Sequence, residues 1–138
     1  MALCGGKYDY FRGRVMFPIQ NATGKVIGFG GRVLDARTKG VNVKYLNSPE
    51  TELYKKTDIV YGIYQARTEI SRKNKCYLVE GYTDVISMHQ SGIANVVASS
   101  GTALTTNQIR LIKRFTENIT VLYDGDSAGQ NHRLYICG

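Results

Sequence analysis

Four acids stand out for where they fall in the chain. Glu80 closes the apolar run from Cys76 to Val79, with Gly81 next and Asp84 four residues on. Asp124 closes the run from Ile119 to Tyr123, with Asp126 two residues further. Carboxylates gathered from distant segments are hard oxygen donors, the kind Mg²⁺ takes together with waters and substrate phosphates. Gly125, between the two aspartates, permits the sharp turn that brings both toward one point. Taken singly, each acid has a plainer explanation. Asp-Gly-Asp is a common solvated turn, Glu80 suits the positive end of a helix, and Asp84 suits the first turn of that helix. Taken together, in the half of the chain with fewer carboxylates, they favour a metal.

The elements that must position these acids follow from the hydrophobic pattern. Cys76–Glu80 predicts a strand. Thr83–Ser91 predicts a helix with Val85, Ile86 and Met88 inward and Gly92 just past its end. Ile93–Ala98 predicts a second strand. A helix capped by Thr105 or Thr106 follows, with Ile109, Ile112 and Phe115 on one face. Ile119–Tyr123 predicts the third strand. This alternation implies a parallel sheet with crossover helices. Glu80 and Asp124, although 44 positions apart, then face one crevice beyond the carboxyl ends of the strands, where ligands of open α/β sheets gather. Upstream, Arg14–Ile19 and Lys25–Leu34 flank the turn-like Asn21–Gly24 and predict a β-hairpin. Gly28, Gly30 and Gly31 in its second strand point to a bulge or a close backbone approach. Asp35–Pro49 predicts a long ordered loop, and Gly62–Arg72 has helical spacing.

The chain of 138 residues carries 43% hydrophobic and 21% charged residues, a globular composition that argues against disorder. Its longest apolar runs are far too short to span a bilayer, and the opening residues lack a secretory signal. The three cysteines, Cys4, Cys76 and Cys137, form no CxxC pair. A disulfide scaffold or structural zinc site is therefore disfavoured, and a cytoplasmic setting without membrane association is expected. The net charge of +7 is unevenly placed: residues 1–75 hold 14 of the 18 Lys and Arg against 6 acids, and residues 76–138 hold 4 against 5. A basic first half points to a polyanionic partner or to a merely soluble basic surface.

Three downstream strings carry a resemblance. Leu78–Val85 (with Glu80-Gly81-Tyr82 and Asp84), Ala98–Thr105 (ending in Ser-Gly-Thr-Ala-Leu-Thr) and Tyr123–Gly129 (with Asp124-Gly125-Asp126) resemble the Toprim fold. Within it they are most similar to bacterial DnaG-type primases. Phe11–Ile19, Gly28–Leu34 and Lys44–Thr51, with Lys56 and Tyr61-Gly62 following, resemble primase segments upstream of that fold. The resemblance covers residues 8 to 129. It implies an α/β protein: a Toprim-like parallel sheet with flanking helices over residues 76–138, preceded by a smaller basic α+β lobe over residues 1–75.

The resemblance further implies template-directed synthesis of RNA primers from ribonucleoside triphosphates, with Mg²⁺ or Mn²⁺ as cofactor. Asp124 and Asp126 are expected as metal ligands, Glu80 as a ligand or general acid/base, and Asp84 as a further ligand or water-mediated support. Arg12, Arg14, Lys44 and Lys56 are expected to hold the single-stranded DNA template or the nucleotide. Arg12 and Arg14, two apart on a strand, are expected on one face. Asn47 and Ser48 are candidate polar contacts, and Ser99–Thr102 is expected to line the same crevice. Tyr45, Tyr54, Tyr61 and Tyr64 are expected to pack, with base stacking as the alternative. Primases of this type are considerably longer and engage the replicative helicase through regions absent here, so a partial catalytic core is expected. After Gly129 the family continues into an Ala-rich helix, whereas here residues 130–138 diverge, as a shifted reading frame or a cloning boundary would produce. A non-catalytic nucleic-acid-binding module and a Toprim nuclease remain alternatives.

Overall fold

The structure, a computed structural model, describes residues 11–33, 45–100 and 103–123, together with the backbone of residues 4–5, 8–9 and 132–136. Two short strands, β1 (Cys4–Gly5) and β2 (Tyr8–Asp9), pair antiparallel at the start. Then come β3 (Arg14–Gln20) and β4 (Val26–Val33), the expected hairpin. Asn21 makes its turn: the side-chain Oδ1 accepts the N–H groups of Thr23 (3.1 Å) and Lys25 (3.0 Å), and Gly24 takes a left-handed φ of 93°. A register shift between Ile19 and Gln20 marks a bulge. A third strand, β5 (Tyr45–Asn47), pairs antiparallel with β4 inside the stretch expected to be loop. At three residues it is too short to show an alternating pattern.

The glycines of β4 serve close approach. A Cβ at Gly28 would lie 2.7 Å from the Tyr54 ring, and one at Gly30 only 2.5 Å from the Tyr82 ring. Aromatic rings therefore lie directly on the backbone of the sheet. Phe17, Ile19, Tyr54, Ile59 and Tyr82 form one buried cluster there.

Downstream, α1 (Ile63–Lys73), β6 (Cys76–Val79), α2 (Tyr82–Gln90), β7 (Val96–Ala98), α3 (Thr106–Lys113) and β8 (Ile119–Tyr123) follow in order. Strands β7, β6 and β8 pair in parallel in that spatial order. Strand β6 is thus central, and the chain crosses to opposite sides of it. Side chains alternate across the sheet. Cys76, Leu78, Val97, Ile119 and Val121 pack with Ile63, Ala66 and Ile70 of α1 and Ile112 of α3. Val79, Val96 and Ala98 pack on the other face with Val85 of α2. The result is helix, sheet, helix in three layers, both sheet faces covered as parallel sheets require. Within α2, Tyr82 and Val85 face inward as one turn requires, whereas Ile86, expected inward, is rotated out and 37% exposed. A last strand, β9 (His132–Ile136), pairs antiparallel with β8, so this segment supplies an edge strand that nothing in its residue pattern announced. Among the described residues no helix is long and apolar enough to cross a membrane.

Candidate active site at the carboxyl edge of the parallel sheet

Strand β6 ends at Val79, and Glu80 follows it, exposed, before Gly81 caps α2. Gly81 keeps extended backbone, and its N–H donates to Asp84 Oδ2 at 3.3 Å. Asp84 therefore occupies the first turn of the helix, where its charge is favoured by the dipole. Beside these acids lies a cavity of about 630 Å³ lined by Tyr45, Asn47, Glu80, Gly81, Tyr82, Asp84, Ser99, Ser100, Ala103 and Tyr123. It sits where the chain leaves β6 toward one side of the sheet while β8 lies on the other, the switch point at which α/β proteins bind ligands.

Two clips shape this cavity. On the sheet side, Ser99 and Ser100 donate their N–H groups to the carbonyls of Val79 (3.2 Å) and Glu80 (3.0 Å), and Ser99 Oγ lies 2.9 Å from the Tyr123 hydroxyl. The exits of β6, β7 and β8 are thereby tied together. Ser100 holds a left-handed φ of 61°, a costly conformation for a residue with a side chain. On the other side, Tyr82 joins the two halves of the chain. Its ring stacks on Phe17 at 5.4 Å between centroids and meets Tyr61 edge-on at 4.6 Å. Its hydroxyl donates to Asn47 Oδ1. Burial pushes the Tyr82 phenol up to about 12, so it stays protonated and able to donate throughout the neutral range.

Some of the residues singled out from the sequence are gathered at this cavity. Glu80, Asp84 and Asn47 line one cavity although they come from different halves of the chain, and Ser99 and Ser100 line it as well. Asp124, Asp126, Lys44, Gly101 and Thr102 lie outside the described residues. Other expectations are redirected. Arg12 and Arg14 do not share a strand face, because Arg12 belongs to the turn before β3, where Gly13 takes a φ of 70° and reverses the chain. Ser48 is buried and committed to β4, accepting from Phe29 N–H at 2.9 Å and donating its own N–H back to the Phe29 carbonyl at 2.8 Å. Lys56 is half-buried in a turn, and its N–H donates to Glu50 Oε1 at 3.2 Å. Neither Arg12, Arg14 nor Lys56 belongs to the cavity lining. Tyr54 packs as expected at 2% exposure, but Tyr45 is 41% exposed, lines the cavity, and lies 5.6 Å from the Arg32 guanidinium. The role of Tyr82 escaped sequence reasoning, whereas the exposure of Tyr45 leaves open the stacking alternative weighed for it. The one available signal was that Tyr82 directly follows Glu80-Gly81, so a helix starting there turns it back onto its neighbours.

Could the lining hold a divalent ion? Among the described residues no three His, Cys, Asp or Glu side chains converge on one point. Glu80 and Asp84 nevertheless supply two carboxylates at one cavity edge, a hard oxygen set that fits Mg²⁺ or Mn²⁺ better than a soft metal.

Comparison with known proteins places this geometry. Residues 3–67 match the N-terminal domain of the DNA primase catalytic core, and residues 77–134 match the Toprim-like family. The chain is 49% identical over 127 residues to the DNA primase of Escherichia coli (strain K12), an alignment that takes in 92% of this chain and 21% of that protein. Among solved structures, the Aquifex aeolicus primase (zinc-binding and RNA polymerase domains) superposes with a TM-score of 0.82 at 42% identity, covering 94% of this chain and 32% of that one. The DnaG primase catalytic domain bound to single-stranded DNA gives a TM-score of 0.76 at 49% identity, covering 88% of this chain and 38% of that one. The chain spans about a fifth of the length of the curated relatives it matches. Since its upstream lobe and its Toprim-like sheet match the same kind of protein, in the same order and nearly end to end, the chain belongs to the DnaG-type DNA primases.

Proposed function

We propose that this chain carries part of the catalytic core for template-directed synthesis of RNA primers in DNA replication, a metal-dependent nucleotidyl transfer. The observation that carries it is the shared cavity: Glu80 and Asp84 from the Toprim-like half line it together with Asn47 and Tyr45 of the basic lobe. We take residues 1–75 as that basic lobe and residues 76–138 as the Toprim subdomain. The acids serve the reacting phosphate, and the lobe serves the template and the incoming ribonucleoside triphosphate. A relative of 49% identity is solved with single-stranded DNA, which supports that template as a partner here. We place the protein in the cytoplasm and expect the replicative helicase as a partner of the whole primase.

The residues act as follows. Glu80, Asp124 and Asp126 are the candidate ligands for Mg²⁺ or Mn²⁺, with Asp84 beside them. A bound ion of this kind lowers the pKa of an attacking hydroxyl and neutralises charge on a leaving phosphate. Glu80 serves either as one of those ligands or as the general acid/base for the attacking and departing oxygens. Asn47, its Oδ1 engaged by Tyr82, orients polar atoms of the nucleotide. Arg12, Arg14, Lys44 and Lys56 attract the polyanion and hold its phosphates, which fixes position without reading sequence.

Calorimetric titration of Mn²⁺ into the chain tests this reading. Saturable binding that disappears in Glu80→Gln and in Asp124→Asn plus Asp126→Asn is expected. Equal binding in all three proteins sinks the metal site, and single-stranded DNA affinity indifferent to Mn²⁺ then leaves a non-catalytic binding module. Nicking of DNA without triphosphates would instead show a nuclease.

A further inference from the structure

Gln108 is fully buried, a costly place for a carboxamide unless its polar atoms are satisfied. They are. Its Nε2 donates to the Ile59 carbonyl at 2.8 Å and reaches the carbonyls of Lys56 and Ser99 at 3.3 Å each. Its Oε1 accepts the Thr105 N–H at 3.1 Å, and the Thr105 hydroxyl accepts the Gln108 N–H at 3.2 Å. As a helix cap this box would be ordinary, but the donors of the same side chain leave the helix altogether. They join the Lys56–Ile59 segment to Ser99 on the cavity wall.

The N-cap of α3 and a residue of its first turn reach the same segment. Thr105 Oγ1 donates to the Thr57 carbonyl, and Asn107 Nδ2 donates to Asp58 Oδ1 at 2.8 Å. Residues 56, 57, 58 and 59 are thus each held by one helical turn. Lys56 itself has its N–H on Glu50. A lysine is a point charge on a flexible stem, so its ammonium is delivered only as well as its backbone is fixed, and ordering costs fall when the backbone is pre-set.

We propose that Gln108 is a positioning residue that fixes the Lys56 turn against the Ser99 wall of the cavity, so that the Lys56 ammonium meets a phosphate of the template. The proposal rests on the reading of Lys56 as a phosphate contact. Gln108 touches no substrate and acts through Lys56.

The test is the salt dependence of binding to a fluorescein-labelled single-stranded oligodeoxynucleotide, followed by anisotropy in rising KCl. Each phosphate that the protein ceases to neutralise lowers the slope of log K against log salt by about 0.7 on a single strand. Lys56→Ala is expected to reduce the slope by about that increment. Gln108→Met, close in shape and with no change of charge, is expected to reduce it equally, and the double variant no more than either. A merely structural glutamine would leave the slope intact, because no cation has been removed. A slope lowered in Lys56→Ala but unchanged in folded Gln108→Met overturns the positioning role alone. An unchanged slope in Lys56→Ala overturns the phosphate contact and the positioning role with it. Should Gln108→Met fail to fold, as far-ultraviolet circular dichroism would show, Asn107→Ala at its exposed position decides. A partly reduced slope supports the proposal, and an unchanged one overturns it.

Discussion

At the residue scale, the informative side chains of this site are the aromatic and amide groups that tie its walls together. Tyr82 is the clearest. Its ring fills the space over Gly30 and its hydroxyl holds Asn47, so one buried phenol spans two halves of the chain. Its raised pKa has a consequence for stability. A phenol that ionises near 10 in the unfolded chain and at about 12 in the folded one leaves the folded state holding the extra proton between those values. Folding stability from this group is whole below pH 10 and drains away as pH climbs toward 12. Cys76, buried and likewise pushed up to about 12 from 9.0, adds to the same alkaline loss. Urea midpoints measured at about pH 8 and near pH 11 should therefore fall for the wild type and fall less for Tyr82→Phe. At about pH 8 that variant should lose about 1 kcal/mol, the net worth of one hydrogen bond.

At the scale of elements, β4 is a strand whose middle has been emptied for the sake of its neighbours. Gly30→Ala places a methyl group 2.5 Å from the Tyr82 ring, inside any allowed contact. The ring must move, taking its hydroxyl from Asn47. Overpacking of this kind costs about 1–3 kcal/mol; thermal and urea denaturation should show that loss, while Gly92→Ala, with open space around its Cβ but a φ of 90°, should report backbone strain alone. Much of this architecture was legible in the residues. The three parallel strands are short apolar runs, and Thr105 and Gly92 mark helix ends by simple capping chemistry. Strand β5 was not legible: it is three residues long, and it is recruited by β4 rather than by its own pattern. The displacement of Arg12 from the strand face was hidden for a related reason, since the left-handed Gly13 sits between two cations that alternate as if on a strand. Of the cavity lining, Glu80 was readable from the end of β6 and Asp84 from the first turn of the helix that follows. The part played by Gln108 was not, because a capping box explains the same residue completely within its own helix.

For the whole molecule, the basic lobe and the Toprim-like sheet are joined by buried contacts rather than by linker alone. Tyr82 belongs to the aromatic cluster of the lobe while opening a helix of the sheet, and Gln108 binds the Lys56 turn from the far end of the chain. Each half loses hydrogen bonds and apolar burial if the other unfolds. Denaturation is therefore expected to proceed in one step, with tyrosine fluorescence and far-ultraviolet circular dichroism giving coincident curves; two separated transitions would show independent lobes.

The notch that β4 opens for Tyr82 also bears on how this sequence can drift. Positions 30 and 82 lie 52 residues apart, yet a side chain at the first collides with the ring at the second. A substitution at one is tolerable only against the background supplied by the other. The pair behaves as a single heritable unit, and a route from this chain to one with a smaller residue at 82 must lose the ring before the glycine is free to change.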